Sequence, residues 1–261
     1  MLAFSAAILL VAALLGLIAQ TGLLAGSFGA GFELDNLQTV ITQMNFGWSS
    51  LARAAVAAAL LLWLLVLTPS KSLWAGCAIA GAFICASFAW MGHGAATDGP
   101  SGIVHLLADI VHLLAASVWI GALIAFVFLL LPSHGASGKD ETLYKSLSHF
   151  SGIGSVAVAL IVLTGLVNSW FLVGPNRLTD FWTTPYGQIL IAKLLVFAGM
   201  LCLAASNRYR LTPALGDALG AGISRLEPLS ALRRSLVLET VAAFAVLGLV
   251  AWLGTMPPPA R

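Results

Sequence analysis

Ile103-Val-His105-Leu-Leu-Ala-Asp109-Ile-Val-His112-Leu-Leu-Ala-Ala-Ser-Val-Trp119-Ile-Gly121-Ala-Leu-Ile-Ala-Phe-Val-Phe-Leu-Leu-Leu131 is the stretch that decides the fold. It is apolar for longer than the roughly 18 residues that read as a membrane span. It also carries three titratable groups. A helix advances about 100° per residue, so His105, Asp109 and His112 share one face. Two imidazoles and a carboxylate at membrane depth are costly unless they pair, bind something or line a wet cavity. They are therefore a candidate functional site, and imidazole with carboxylate points to a transition metal.

The rest of the chain agrees with a membrane setting. Hydrophobic residues make up 60% and charged residues 8% of the sequence, against about 45–50% and 25% in soluble domains. An all-α, polytopic membrane bundle is expected, with seven spans at approximately Leu2–Leu24, Trp48–Leu67, Leu73–Met91, Ile103–Leu131, Phe150–Val173, Gln188–Ala205 and Ser235–Leu253. Pro69, Pro132, Pro175, Pro185 and the Pro257–Pro259 run fall at or just outside span ends, where proline does least harm. The first apolar run is too long for a secretory signal and lacks a basic leader, so it reads as a retained helix. The net charge of +2 forms no basic face, which argues against nucleic acid as a partner. The lipid bilayer is the expected surrounding.

Lys and Arg set the orientation. Lys71, Lys139, Lys145, Arg208, Arg210, Arg225, Arg233 and Arg234 fall on one side. Arg177 and Arg261 fall on the other, with Arg53 and Lys193 inside helix starts. The first side is expected to be cytoplasmic, giving a cytoplasmic N-terminus and a periplasmic C-terminus in a bacterial inner membrane. The His105 end of the fourth span then faces outward. Cys77, Cys85 and Cys202 lie within spans without a Cys-x-x-Cys pair, and read as apolar filler.

The chain reads as one transmembrane domain, residues 1–261, with an internal parallel repeat. Met44-Asn-Phe46-Gly47-(x5)-Arg53 resembles Thr184-Pro-Tyr186-Gly187-(x5)-Lys193, and Trp90-Met91-Gly92 resembles Trp252-Leu253-Gly254. Spans one to three, about residues 1–93, therefore pair with spans five to seven of a second half at about 103–255. Each aromatic-Gly segment follows a polar loop, 32–43 or 176–184, and its glycine permits close backbone approach. Two readings of Arg53 and Lys193 stay open. They snorkel to the outer headgroups, or they serve as counter-ions to Asp109 and barriers against cation leakage.

Further candidate ligands gather on the outer side. Met91 and His93 close the third span, and Met44 and Met256 sit at helix-terminal segments. Thioether with imidazole suits Cu(I), and imidazole with carboxylate suits Cu(II) or zinc. Each has a plainer account: interfacial His, packing Met, or, for the His105/Asp109/His112 stripe, a polar network between helices. Asp109 can also act by orienting a ligating imidazole. His134 and His149 lie at the opposite ends of spans, as interfacial residues or an exit point. Asn168 stands where it can brace the fourth span, and Glu239 follows Arg233-Arg234 as their neutraliser. Trp48, Trp90, Trp170, Trp182 and Trp252 form an outer aromatic belt, whereas Trp119 lies deeper.

His105-(x3)-Asp109-(x2)-His112-Leu-Leu-Ala-Ala-(x2)-Trp119-Ile-Gly121, Thr164-Gly-Leu-Val-Asn168, Thr184-Pro-Tyr186-Gly187-(x5)-Lys193 and Ser206-Asn207-Arg208 occur in this order. Together they resemble the signature of the copper resistance D (CopD) family of bacterial inner-membrane proteins, over about residues 37–255. Family members usually have eight spans, and this chain departs by lacking the first. The resemblance implies copper as the ion handled, moved from periplasm toward cytoplasm, and a periplasmic copper-binding partner of the CopC type. On that reading copper enters near Met91, His93, Met44 and Met256, is held by His105 and His112 with Asp109 nearby, and passes inward as the two repeats rearrange. Asn168, Trp119, Tyr186, Lys193 and Arg53 support the site. No nucleotide-binding loop is present, and no enzymatic activity is expected. Two other classes remain open. One is a haem b redox protein, although His105 and His112, about 10 Å apart on one face, cannot clamp one haem. The other is a copper-binding or sensory subunit that moves nothing.

Overall fold

The computed structural model describes residues 2–91, 99–130, 139–174, 180–222 and 224–256, and only the backbone of 139, 180 and 181. His93 and His134 lie outside the described residues, as do Arg177, Arg261, Pro132, Pro175 and Pro257–Pro259. The described residues are helical with no strand. In chain order the helices are α1 (Leu2–Leu24), α2 (Leu34–Gln43), α3 (Asn45–Val66), α4 (Lys71–Ser87), α5 (Pro100–Leu129), α6 (Lys139–Leu172), α7 (Asp180–Thr183), α8 (Pro185–Ser206), α9 (Thr212–Ala221) and α10 (Leu226–Leu253). Short 3₁₀ turns occupy Gly29–Phe32 and Phe88–Met91, and a π-turn at Asn207–Leu211 joins α8 to α9.

Seven helical stretches among the described residues are long and apolar enough to cross a membrane: Leu2–Leu24, Asn45–Val66, Lys71–Met91, Pro100–Leu129, Asp140–Leu172, Pro185–Ala221 and Leu226–Leu253. Each overlaps one of the seven expected spans. The protein is a multi-pass helical membrane protein. Its many exposed large apolar side chains, such as Phe4, Leu23, Val66, Ile79 and Leu195, are then lipid-facing.

Several helices outrun their apolar cores. α6 begins at Lys139 and carries Glu141 and Lys145 as an i,i+4 ion pair at 2.7 Å. Arg208 and Arg210 lie in the π-turn, and Arg233 and Arg234 lie inside α10. The cations read as loop residues therefore sit on helical extensions, where backbone bonds continue into water once the apolar run has ended.

The chain divides into two compact units, Met1–Leu114 and Ala115–Arg261, with α5 continuous across the boundary. In the first unit α1 packs along α3. Ala6, Ala13, Leu17 and Thr21 form one buried stripe on α1, and Gly47, Ser50, Ala54 and Ala57 form one on α3. Small residues let membrane helices approach closely without a hydrophobic drive between them. Thr21 returns its hydroxyl proton to the Leu17 carbonyl at 2.9 Å, so the stripe exposes no loose donor. Ser70 caps α4 by accepting from the Leu73 N–H at 3.2 Å.

The segment read as a polar loop at 32–43 is instead α2. Leu37, Val40 and Ile41 turn inward at helical spacing, and Asp35 stands in the first turn, where the helix dipole favours it. The polar residues between them hid that period. α2 rests on the first turn of α3 through Gly47, whose added Cβ would lie 2.7 Å from Ile41 Cα and closer still to the Val40 carbonyl. Both obstacles are backbone. Gly47→Ala is therefore expected to destabilise the protein by about 1–3 kcal/mol, read as a lower unfolding midpoint in detergent. An unchanged midpoint would mean that the α2–α3 elbow yields freely.

The second unit has one large core. Ala115, Trp119, Leu123 and Phe126 of α5 meet Leu143 and Leu147 of α6, Met200 of α8, Leu215 of α9, and Leu232, Leu236 and Ala243 of α10. α10 packs on α8, and α9, which continues α8 through the π-turn, contacts α6 and α10. Pro213 explains the π-turn: it has no N–H to continue the ladder, and its ring crowds the carbonyl four residues back. α9 ends at Gly222, in the left-handed region at φ 64°.

Candidate functional site

α5 is uninterrupted from Pro100 to Leu129, so His105, Asp109 and His112 do share one face. His105 is 2% exposed, and Asp109 and His112 are half-buried. Each of the three takes part in a hydrogen-bond, ring or electrostatic contact. Cys85 of α4 donates its S–H to the Leu113 carbonyl at 3.3 Å, which ties α4 to α5 beside His112. Among the described residues no three His, Cys, Asp or Glu side chains converge as a metal cage. A ligand set built from this stripe must therefore draw on thioethers or on a rearrangement.

Met91 and Arg53 come together. Arg53 is 4% exposed, so it does not snorkel. Its Nε donates to Ser87 Oγ at 3.0 Å, and one terminal nitrogen donates to Met91 Sδ at 2.9 Å and to the Ser87 carbonyl at 3.5 Å. Its guanidinium carbon lies 3.9 Å from the centroid of the Phe88 ring. Ser87 in turn donates to the Ile84 carbonyl at 2.7 Å. Of the two open readings neither describes Arg53, whose partners come from the end of α4 and its 3₁₀ turn: a hydroxyl, a ring and a thioether. Among the described residues no carboxylate pairs with Arg53. Met44 is exposed, at the corner between α2 and α3.

In the second unit Met256 packs against the cluster of Val173, Tyr186, Leu190 and Leu253. Tyr186 is 5% exposed. Thr184 caps α8 by accepting from the Gly187 N–H at 3.1 Å, with Pro185 in the first turn. Lys193 and Asn168 are half-buried, and each makes polar contacts. His149 is exposed, with Nδ1 2.7 Å from the Lys145 carbonyl.

The group the sequence reading passed over is Glu239. It is 2% exposed and does not neutralise Arg233 or Arg234. Trp119 Nε1 donates to its Oε1 at 3.0 Å, and Asn207 Nδ2 donates to its Oε2 at 2.8 Å. Three elements, α5, the π-turn and α10, are thereby clasped by one carboxylate. A cavity of about 600 Å³ opens beside it, lined also by Tyr144, Ser151, Arg208 and Asp217. The signal was available. Glu239 begins an otherwise uncharged apolar run to Leu253, and a carboxylate there is a functional candidate by default.

The fold defines a class, multi-pass helical membrane proteins, and the ionisable groups buried within its membrane helices are candidate functional sites. The comparisons narrow that class. Residues 1–103 match the family described as Copper resistance protein D-like, N-terminal domain, and residues 144–253 match Copper resistance protein D. The Copper resistance protein D of Pseudomonas syringae pv. tomato is 37% identical over 228 residues, covering 86% of this chain and 73% of that protein. The Copper transport protein CutJ of Bacillus subtilis (strain 168) is 30% identical over 172 residues, 66% of this chain and 28% of that protein. The Inner membrane protein YebZ of Escherichia coli (strain K12) is 26% identical over 211 residues, 78% of this chain and 70% of that protein. No solved structure matches. The chain belongs to the copper resistance protein D family.

Proposed function

We propose that this protein binds copper as its cargo at the outer end of α5 and carries it across a bacterial inner membrane, from periplasm toward cytoplasm. The observation that carries the reading is the His105/Asp109/His112 face, set in a membrane helix of a chain whose relatives are named for copper resistance and copper transport. Imidazole donors serve either copper oxidation state, and a thioether favours Cu(I). Asp109 orients an imidazole or balances the charge of the ion. The cation bias supports an orientation with the N-terminus in the cytoplasm and the C-terminus in the periplasm. A soluble periplasmic copper carrier of the CopC type then delivers to the outer face. The protein works as a carrier rather than an enzyme.

Arg53 bears on loading. Its guanidinium nitrogen stands 2.9 Å from Met91 Sδ. A cation at that thioether must displace Arg53 or meet its charge, so Met91 ligates only after Arg53 has turned away.

Metal content tests the proposal. Detergent-purified wild type and His105→Ala/His112→Ala are exposed to copper and to zinc, then washed. Close to one equivalent of copper in the wild type, lost in the double variant, is the expected result. Equal copper in both, or preference for zinc, would sink the assignment.

A further inference from the structure

Among the described residues no cation pairs with Glu239. Arg208 lines the same cavity but turns to α6, donating to the Ser151 carbonyl at 3.0 Å and to Ser155 Oγ. On α10 itself, Glu227, Arg233 and Arg234 lie at least one turn toward the N-terminal end, and both arginines are exposed. Lys193 of α8 lies 14 residues before Asn207, about 21 Å along the helix. From α6, Tyr144 faces the cavity, while Lys145 pairs with Glu141 and His149 is exposed. α9 contributes Asp217, and the π-turn contributes Tyr209 beside Arg208.

An anionic carboxylate held at this depth by two neutral donors is compensated only in part. A second observation bears on how a neutral acid would be held. Asn207 is 6% exposed and lines the cavity, and its Oδ1 is buried without a hydrogen-bond partner although its Nδ2 serves Glu239. The amide can present either end to the carboxyl group, its N–H to the anion or its oxygen to the neutral acid. When the carboxylate takes up a proton it becomes a neutral acid, whose new O–H donates to Asn207 Oδ1 once that amide turns over. Trp119 remains a donor to the other oxygen. No bond other than this O–H forms. The donors are carboxylate and amide oxygens, without imidazole or thioether, so copper is a poor occupant.

We propose that Glu239, with Asn207, is a proton-binding site reached through the cavity at the cation-rich end of the second unit. The site stands whether or not the protein moves copper, and only its use as the coupling ion would rest on the proposed function.

Infrared difference spectra of the full chain in liposomes, recorded through a pH titration, test it. The expected result is a carbonyl band of a protonated carboxylic acid that grows as pH falls and is lost in Glu239→Gln. Glu239→Asp, which keeps the carboxyl group, should shift the band rather than remove it, and assigns it even if the amide variant fails to fold. Asn207→Ala should move the same band by removing its hydrogen-bond acceptor. A band unchanged in both Glu239 variants overturns the assignment. So does a carboxylate signal that follows sodium at fixed pH and not protons.

Discussion

Arg53→Ala is expected to lower the stability of the detergent-solubilised protein by about 2–4 kcal/mol, from lost charge-assisted hydrogen bonds and a desolvated cation–π contact. One guanidinium joins α3 to Ser87, Phe88 and Met91, at the end of α4 and its 3₁₀ turn. Alanine also leaves a void at a position that is 4% exposed. Arg53→Lys separates charge from geometry. An ammonium keeps the charge, but it cannot present a planar fork to Ser87 and Met91 while lying over the Phe88 ring. Its stability should fall between those of wild type and alanine. Arg53→Met goes further, because replacing a buried charge that lacks a carboxylate partner by an apolar chain of similar reach can cost little. The order of unfolding midpoints should run from wild type through methionine or lysine down to alanine. A midpoint for alanine equal to wild type would show that the contacts do not bind α3 to the end of α4. Copper content gives an independent readout. Freed of its neighbouring charge, the Met91 thioether should retain at least as much Cu(I) in the alanine variant as in the wild type.

The Arg53 contacts show where sequence reading stops. Seven spans were legible because an apolar run of membrane length is seldom anything but a span, and the three polar residues on α5 stood out against it. The helical phase of 105, 109 and 112 carried over directly, since nothing interrupts α5. The direction in which a long side chain turns is a different kind of information. Arg53 inside a helix start has two physical outlets, up to the headgroups or sideways into a neighbouring helix. Ser87 and Met91, 34 and 38 residues away, decide between them. Composition also hid α2, where Leu37 is parted from the Val40-Ile41 pair by polar residues. The cation-bearing ends of α6 and α10 fall outside the expected spans because hydropathy marks only the apolar run, whereas backbone hydrogen bonding does not stop where the apolar run does. Glu239 was lost for a local reason. Two arginines a turn or two away supplied a ready partner on paper, yet both are exposed and the carboxylate turns inward to Trp119 and Asn207. Trp119, set apart from the aromatic belt by its depth alone, proved to be one half of that contact.

Glu239→Ala should cost about 2–4 kcal/mol, the larger part from two buried donors left without an acceptor. Trp119 Nε1 and Asn207 Nδ2 come from different elements, so the loss unfastens α5 and the π-turn from α10 together. Hydrogen bonds between membrane helices average well below their nominal strength, about 0.6 kcal/mol with a maximum near 1.7, which holds the figure toward its lower end. The lost side-chain volume adds little, because Glu239 already lines the cavity beside Leu236 and Trp119. Trp119→Phe keeps most of the ring packing, including the edge-on contact with Phe197 at 5.9 Å between centroids. It removes a single donor and should cost about 1 kcal/mol. Glu239→Gln should cost least of the three, because its amide oxygen still accepts from Trp119 and its amide nitrogen can donate to Asn207 Oδ1 once that amide turns over. The expected order of unfolding midpoints is therefore glutamine, phenylalanine, alanine, from highest to lowest. In a double-mutant cycle, Trp119→Phe should cost little once Glu239 is alanine, since its donor then has nothing to lose. If the two substitutions instead add fully, the contact between them carries no coupling, and the three elements are held by apolar packing alone.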